Sequence, residues 1–173
     1  MQQKMRWPER QDLMDLGGPI MTATATKELE DYNGHVNVRH HYGFHIDATE
    51  ALFVDQFGIN EEWLARVGQS TFSVSQHLQF HGEIMIGDRL EVFLRLLGRS
   101  DKTLHGMSIL FDITTGQVSS TMEYVEVYVD LATRKSTEMP SELTHQLDEL
   151  LDVHQPLGWQ LPLSERLGTS RRK

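Results

Sequence analysis

The sequence predicts an α+β fold: an antiparallel sheet curled around one long central helix, with an extra helix near the C-terminus. Three patterns carry this prediction. Residues 38–57 keep helical spacing, the following segments switch to alternation with a period of two, and the chain returns to helical spacing after Pro140. Long strands joined by turns have one face to bury, and the 38–57 helix is the only long apolar helix available to cover it.

Taken in order, residues 1–18 form a polar arm with the apolar anchors Trp7, Leu13, Met14 and Leu16, closed by Gly17-Gly18-Pro19. Residues 20–26 are β-prone, with Thr22, Thr24 and Thr26 alternating against Met21, Ala23 and Ala25. A loop-forming run, Asp31-Tyr32-Asn33-Gly34-His35, comes next. In the helix behind it, Phe44, Ala48, Ala51 and Leu52 fall on one face, and Gly58 supplies the stop. A shorter helix over 59–67 is expected to end at Gly68. Strands are then expected around 74–81, 90–97, 104–114 and 118–130, in hairpin succession, with Gly87-Asp88, Ser100-Asp101-Lys102 and Thr115-Gly116 as turns. Leu143, Leu147, Leu150 and Leu151 make the last helix amphipathic, with Ser141 expected as its N-cap. The boundaries expected are an arm over 1–18, a main domain over 19–142, and a C-terminal helix and tail over 143–173. Arg171-Arg172-Lys173 is expected to be a disordered end.

Composition narrows the function. The 173 residues carry 16 Lys+Arg against 25 Asp+Glu, a net charge of -9, which argues against a nucleic-acid partner because such domains need a basic face. With no cysteine at all, thiol nucleophiles, disulfides and Cys-ligated metals are excluded. No apolar run approaches the ~18 residues of a membrane span, so no membrane partner and a cytoplasmic location are expected. Open sheet edges favour pairing with further copies, and a homodimer or homotetramer is expected.

The run Asp31-Tyr32-Asn33-Gly34-His35-Val36-Asn37 resembles the Asp-x-x-Gly-His-x-Asn signature of hotdog-fold acyl-CoA thioesterases, the 4-hydroxybenzoyl-CoA thioesterase-like family. The strand before it, the long helix after it, Gly87-Asp88 opening a strand, and Val127-Tyr128-Val129-Asp130 with Arg134 and Met139-Pro140 extend the similarity over roughly residues 19–142. Gly34-His35-Val36-Asn37-Val38 followed by Asp47-Ala48-Thr49 is similar to thioesterases of carnitine and betaine catabolism. The chain departs from the family where many relatives carry a second acid, at Leu29, and where an aromatic is common, at His41.

The resemblance implies hydrolysis of an acyl-CoA to free acid and CoA, without metal or cofactor, with Asp31 as general base or nucleophile. Gly34, His35 and Val36, just before or within the first helical turn, are expected to offer N–H groups to the developing oxyanion. For His35 the alternatives are positioning substrate or water and bracing the loop. Asn33, Asn37, His41 and Tyr42 are candidate substrate contacts, His41 and Tyr42 near the acyl pocket, with fixing the loop as the alternative for Asn37. Arg89, Arg99 and Lys102, read together with Arg95 as a basic cluster on one hairpin, are candidate contacts for CoA phosphates, with a solvated rim as the alternative. His41 and His45 share a helical stripe, but no third ligand stands at metal-site spacing, so partly buried, hydrogen-bonded histidines are expected there. Two other functions fit the same sequence: a hotdog enoyl-CoA hydratase or dehydratase, which the run 31–35 superficially resembles, and a non-catalytic acyl-CoA-binding oligomeric protein.

Overall fold

The computed structural model describes residues 7–164 and 166–169, so the 171–173 tail lies outside the described residues. Its elements are α1 (Arg10–Met14), β1 (Met21–Thr24), α2 (Val38–Ala51), α3 (Glu61–Val67), β2 (Gln69–Phe80), β3 (Arg89–Arg99), β4 (Thr103–Asp112), β5 (Gln117–Asp130), β6 (Lys135–Ser136) and α4 (Ser141–His154). The expected curled antiparallel sheet around a central helix is present, in strand order β1-β3-β4-β5-β2, with β6 paired to β5.

That order corrects the expected hairpin succession. Strands β3, β4 and β5 do form a meander, but β2 leaves its sequence neighbour and pairs with β5, as in Gln76↔Tyr124 and Leu78↔Met122. Residues 81–88 therefore carry the chain from one side of the sheet to the other. Alternation reports which face a residue takes, not which strand lies beside it, so the crossover was invisible in the pattern. It leaves the 12-residue β2 as a long open edge.

Helix α2 starts where Asn37 caps it, its side chain accepting the Arg39 N–H at 3.1 Å. The expected last turn is wound as a π-helical turn, Leu52–Gln56, before Gly58 at φ 67°. Gly68 closes α3 at φ 68°, as its position predicted. The N-cap of α4 is Pro140, not Ser141, which becomes the first helical residue; proline is already fixed in the extended approach conformation at φ -64° and ψ 155°.

On the inner face, Leu52 and Phe53 pack against Leu94, Leu96, Leu104, Met122, Tyr124 and Tyr128, and α4 adds Leu143, Leu147 and Leu151 to the same core. Tyr124 lies directly over Gly106, its cross-strand partner: a Cβ there would meet the ring at 2.5 Å. The outer face is covered by both terminal segments. Leu13 and Leu16 from the arm and Trp159 and Leu161 from the C-terminal segment pack on Phe93, Met107, Ile109 and Phe111. Among the described residues no helix is long and apolar enough to cross a membrane.

Candidate active site

The 31–37 run folds as a tight hairpin at the entrance to α2. Asp31 N–H donates to His35 O at 2.9 Å, Asn37 N–H to Leu29 O at 2.8 Å, and Gly34 N–H to Asp31 O at 3.2 Å. Gly34 takes φ 87°, a conformation that costs a side-chain-bearing residue strain, which explains glycine at this corner. The crossover from β2 braces the hairpin from below: Val36 N–H donates to the carbonyl of fully buried Ile84 at 2.8 Å, and His35 bridges to Met85.

This bracing directs the Asp31 carboxylate. Oδ1 accepts the Asn33 N–H at 2.8 Å, an Asx turn, while Oδ2 lies 3.4 Å from His35 Nδ1. On its other side the imidazole comes within 3.9 Å of the exposed Glu83 carboxylate. The carboxylate and ring of the motif are thus adjacent and largely shielded, with side-chain exposures of 15% and 21%. A carboxylate held against an imidazole can take a proton from water, or attack a carbonyl carbon directly.

The expected oxyanion donors need correction. Helix α2 begins only at Val38, and the loop itself uses the N–H groups of Gly34 and Val36. Among the described residues, the His35 and Val38 N–H groups hold no hydrogen bond and remain available.

Behind the hairpin, His41 and His45 are hydrogen-bonded as expected and buried more completely than expected. His41 Nδ1 is 3.0 Å from Ser120 Oγ, His45 Nε2 is 2.9 Å from the same hydroxyl, and His45 Nδ1 is 2.7 Å from Ser108 Oγ. Burial, helped by the charges of His35 and His40, pushes His41 down to about 4. Burial, with His41 alongside, pushes His45 down to about 3. Both rings are neutral near pH 7 and pin α2 to β4 and β5. His41 therefore faces the protein interior, edge-on to Phe80 at 5.4 Å, and not open solvent.

The remaining candidates scatter. Asn33 gives its backbone to Asp31, and Asn37 spends its side chain on the helix cap. Tyr42 is half-exposed and donates to Gln76 Oε1 at 2.9 Å. The basic hairpin cluster is not assembled. Arg89 and Arg99 stand at opposite ends of β3, about 33 Å apart for an extended strand. Arg99 is engaged by Asp148 at 2.6 and 2.5 Å. Arg95 is buried, donating to the carbonyls of Trp159, His154 and Leu157 and stacking on Trp159, so it ties down the C-terminal segment. Lys102 lines a separate cavity of about 540 Å3 with Val125, Val127 and Thr169, on the outer face.

The profile of the thioesterase-like superfamily matches residues 25–147, from the strand before the hairpin into α4. The chain belongs to this superfamily. Within it, the chain is 30% identical over 141 residues to a betainyl-CoA thioesterase of Pseudomonas aeruginosa, covering 82% of this chain and 86% of that protein. It is 27% identical over 146 residues, 83% of this chain, to an L-carnitine dehydrogenase/betainyl-CoA thioesterase of Rhizobium meliloti, of which it spans only 29%. Among solved structures it resembles a hypothetical protein from Staphylococcus aureus in complex with CoA, with a TM-score of 0.74 at 22% identity over 88% of this chain and 93% of that one. That likeness is one of fold, and the fold of this thioesterase-like chain is the hotdog.

Sequence reasoning missed four residues of this region. Glu83 reaches His35 only through the crossover, and Ser108 and Ser120 meet the histidines only through strand register. Glu126 was legible as an anomaly: an acid between two tyrosines on one strand face. Its neighbours Tyr124 and Tyr128 are buried in the inner core, which places that face inward.

Proposed function

We propose that the protein is a thioesterase that hydrolyses acyl-CoA, with Asp31 driving attack on the thioester carbonyl and a small cationic acyl group of the betainyl type as substrate. The observation that carries the reaction is the Asp31 carboxylate held 3.4 Å from His35 by a hairpin at the start of the central helix, in a chain of the thioesterase-like superfamily. Asp31 either deprotonates water or forms an acyl anhydride that water opens. In both cases the C–S bond breaks, CoA leaves as the thiolate, and a proton returns to it. The free His35 and Val38 N–H groups are the donors best placed for the developing oxyanion. The acyl class is supported by two relatives named for betainyl-CoA.

The working unit we propose is a homodimer joined along β2. This edge is long and exposes Phe72 at 63% and Val74 at 51%. Two-fold antiparallel pairing of β2 would set the Phe80 end of one copy, beside His41, against the Ser70–Ser73 end of the other. Each hairpin would then approach its partner's inner face.

The test is release of free thiol from a panel of cationic, aliphatic and aromatic acyl-CoAs. Turnover with preference for the cationic member is expected. Hydration of an enoyl-CoA without thiol release, or tight binding of acyl-CoA without turnover, would contradict the proposal.

A further inference from the structure

Between α2, the π-helical turn and β2 lies a cavity of about 300 Å3, within the range of small-ligand pockets. Ile46, Phe53, Val54 and Ile59 give it an apolar side, hydroxyl and amide side chains from α2 and β2 (Thr49, Ser70, Thr71, Ser73, Gln76) a polar one, Glu50 stands exposed at its rim, and Glu126 forms part of its lining from β5. Among the described residues, no lysine, arginine or histidine lines it. Glu126 is only 5% exposed, flanked on the inner face of β5 by the fully buried Tyr124 and Tyr128. Burial pushes its carboxyl up to about 7, against a lowering contribution from the Ser73 hydroxyl. A carboxylate buried this deeply is costly unless a cation compensates it, and the described residues supply none there.

We propose that the Glu126 pocket is the specificity site for the acyl group, binding a quaternary ammonium head by charge to Glu126 and by apolar and aromatic contact to its methyl groups. This rests on the thioesterase reading above and deepens it. A quaternary ammonium donates no hydrogen bonds, so apolar walls satisfy its methyls while the carboxylate, with Phe53 alongside, meets its charge. The pocket serves the partner's hairpin. Ser120, beside His41, is six residues from Glu126, about 20 Å along β5, a span no small acyl group bridges within one chain. The β2-paired dimer removes that distance by bringing the partner's 31–37 hairpin to this end.

The experiment compares betainyl-CoA with 3,3-dimethylbutanoyl-CoA, its charge-free isostere with carbon in place of nitrogen, in wild type and E126Q. Wild type is expected to favour the cation by at least 100-fold in kcat/KM, and E126Q to lose at least tenfold of that ratio, mainly through KM. In parallel, tetramethylammonium chloride is expected to inhibit wild type competitively and E126Q at least tenfold more weakly. Thermal melting checks that the variant folds, and E126D, which keeps the charge, is expected to retain part of the preference. An unchanged ratio in folded E126Q overturns the pocket assignment and leaves the thioesterase intact. If wild type hydrolyses only the neutral isostere, the cationic class falls. If it hydrolyses neither and tetramethylammonium does not bind by calorimetry, both readings fall together.

Discussion

Ser120 and Glu126 lie on the same face of β5, both buried and both polar, yet their surroundings oppose each other. At the Ser120 end the polar groups partner one another: two histidines and two serine hydroxyls form a chain of contacts between 2.7 and 3.0 Å. At the Glu126 end a carboxylate lines a cavity with no basic neighbour among the described residues. A closed polar network fixes helix against sheet and supports the hairpin in front of it. A buried charge left without a counter-charge is a cost that folding alone does not recover, and ligand binding is the natural compensation. One strand face thus carries a structural end and a recognition end.

Breaking the closed end should have the largest effect on stability. Ser120→Ala removes the hydroxyl shared by His41 Nδ1 and His45 Nε2 and orphans both in a sealed interior. A loss of roughly 3 kcal/mol is expected, read as a lower urea midpoint at unchanged slope. A shift within experimental error would mean the network contributes packing only.

Acid should weaken the same end. Histidines held neutral in the fold take up protons on unfolding, so stability falls as pH drops below the unfolded value near 6.5 toward the folded values of about 4 and 3. Glu126 works in the opposite sense. With its folded value raised to about 7, its protonation recovers stability as pH falls from there toward 4.5. The net expectation between pH 6.5 and 5 is a loss on the order of 2 kcal/mol. Urea titrations at both pH values measure it, and stability that rises on acidification would contradict the neutral assignment of the histidines.

The smallest and most discriminating change is at the open end. Glu126→Leu should leave stability at pH 7 unchanged or raise it by about 1 kcal/mol, because a buried, uncompensated carboxyl gives way to an apolar side chain beside Ile46, Phe53, Val54 and Ile59. It should also steepen the acid loss, since the opposing titration is gone. Destabilisation comparable to Ser120→Ala would show that Glu126 is structural.

Much of this was legible in the sequence. The 31–37 motif, the long helix behind it, the stop at Gly68 and the burial of His41 and His45 follow from residue chemistry and spacing, which act locally. What stayed hidden depends on long-range pairing. The β2 crossover decides that Val36 N–H meets Ile84 and that Glu83 faces His35, and no local pattern encodes either. The basic residues of β3 read as a cluster because they are close in sequence. An extended strand separates its ends, and Arg95 turned to the C-terminal segment that covers the outer face. Gly106 carried no turn signal. Its reason is the Tyr124 ring lying against it, a contact made across strands.

The central claim is that Asp31 performs thioester chemistry at the mouth of the central helix. Its most direct test is thiol release from the preferred acyl-CoA by Asp31→Asn, with folding verified by thermal melting. Asparagine can still accept the Asn33 N–H and hold the hairpin, but it can neither take the proton nor attack the carbonyl. A fall in kcat of roughly 10²- to 10⁴-fold with KM little changed is the predicted result. A folded variant that releases thiol at the wild-type rate would contradict it.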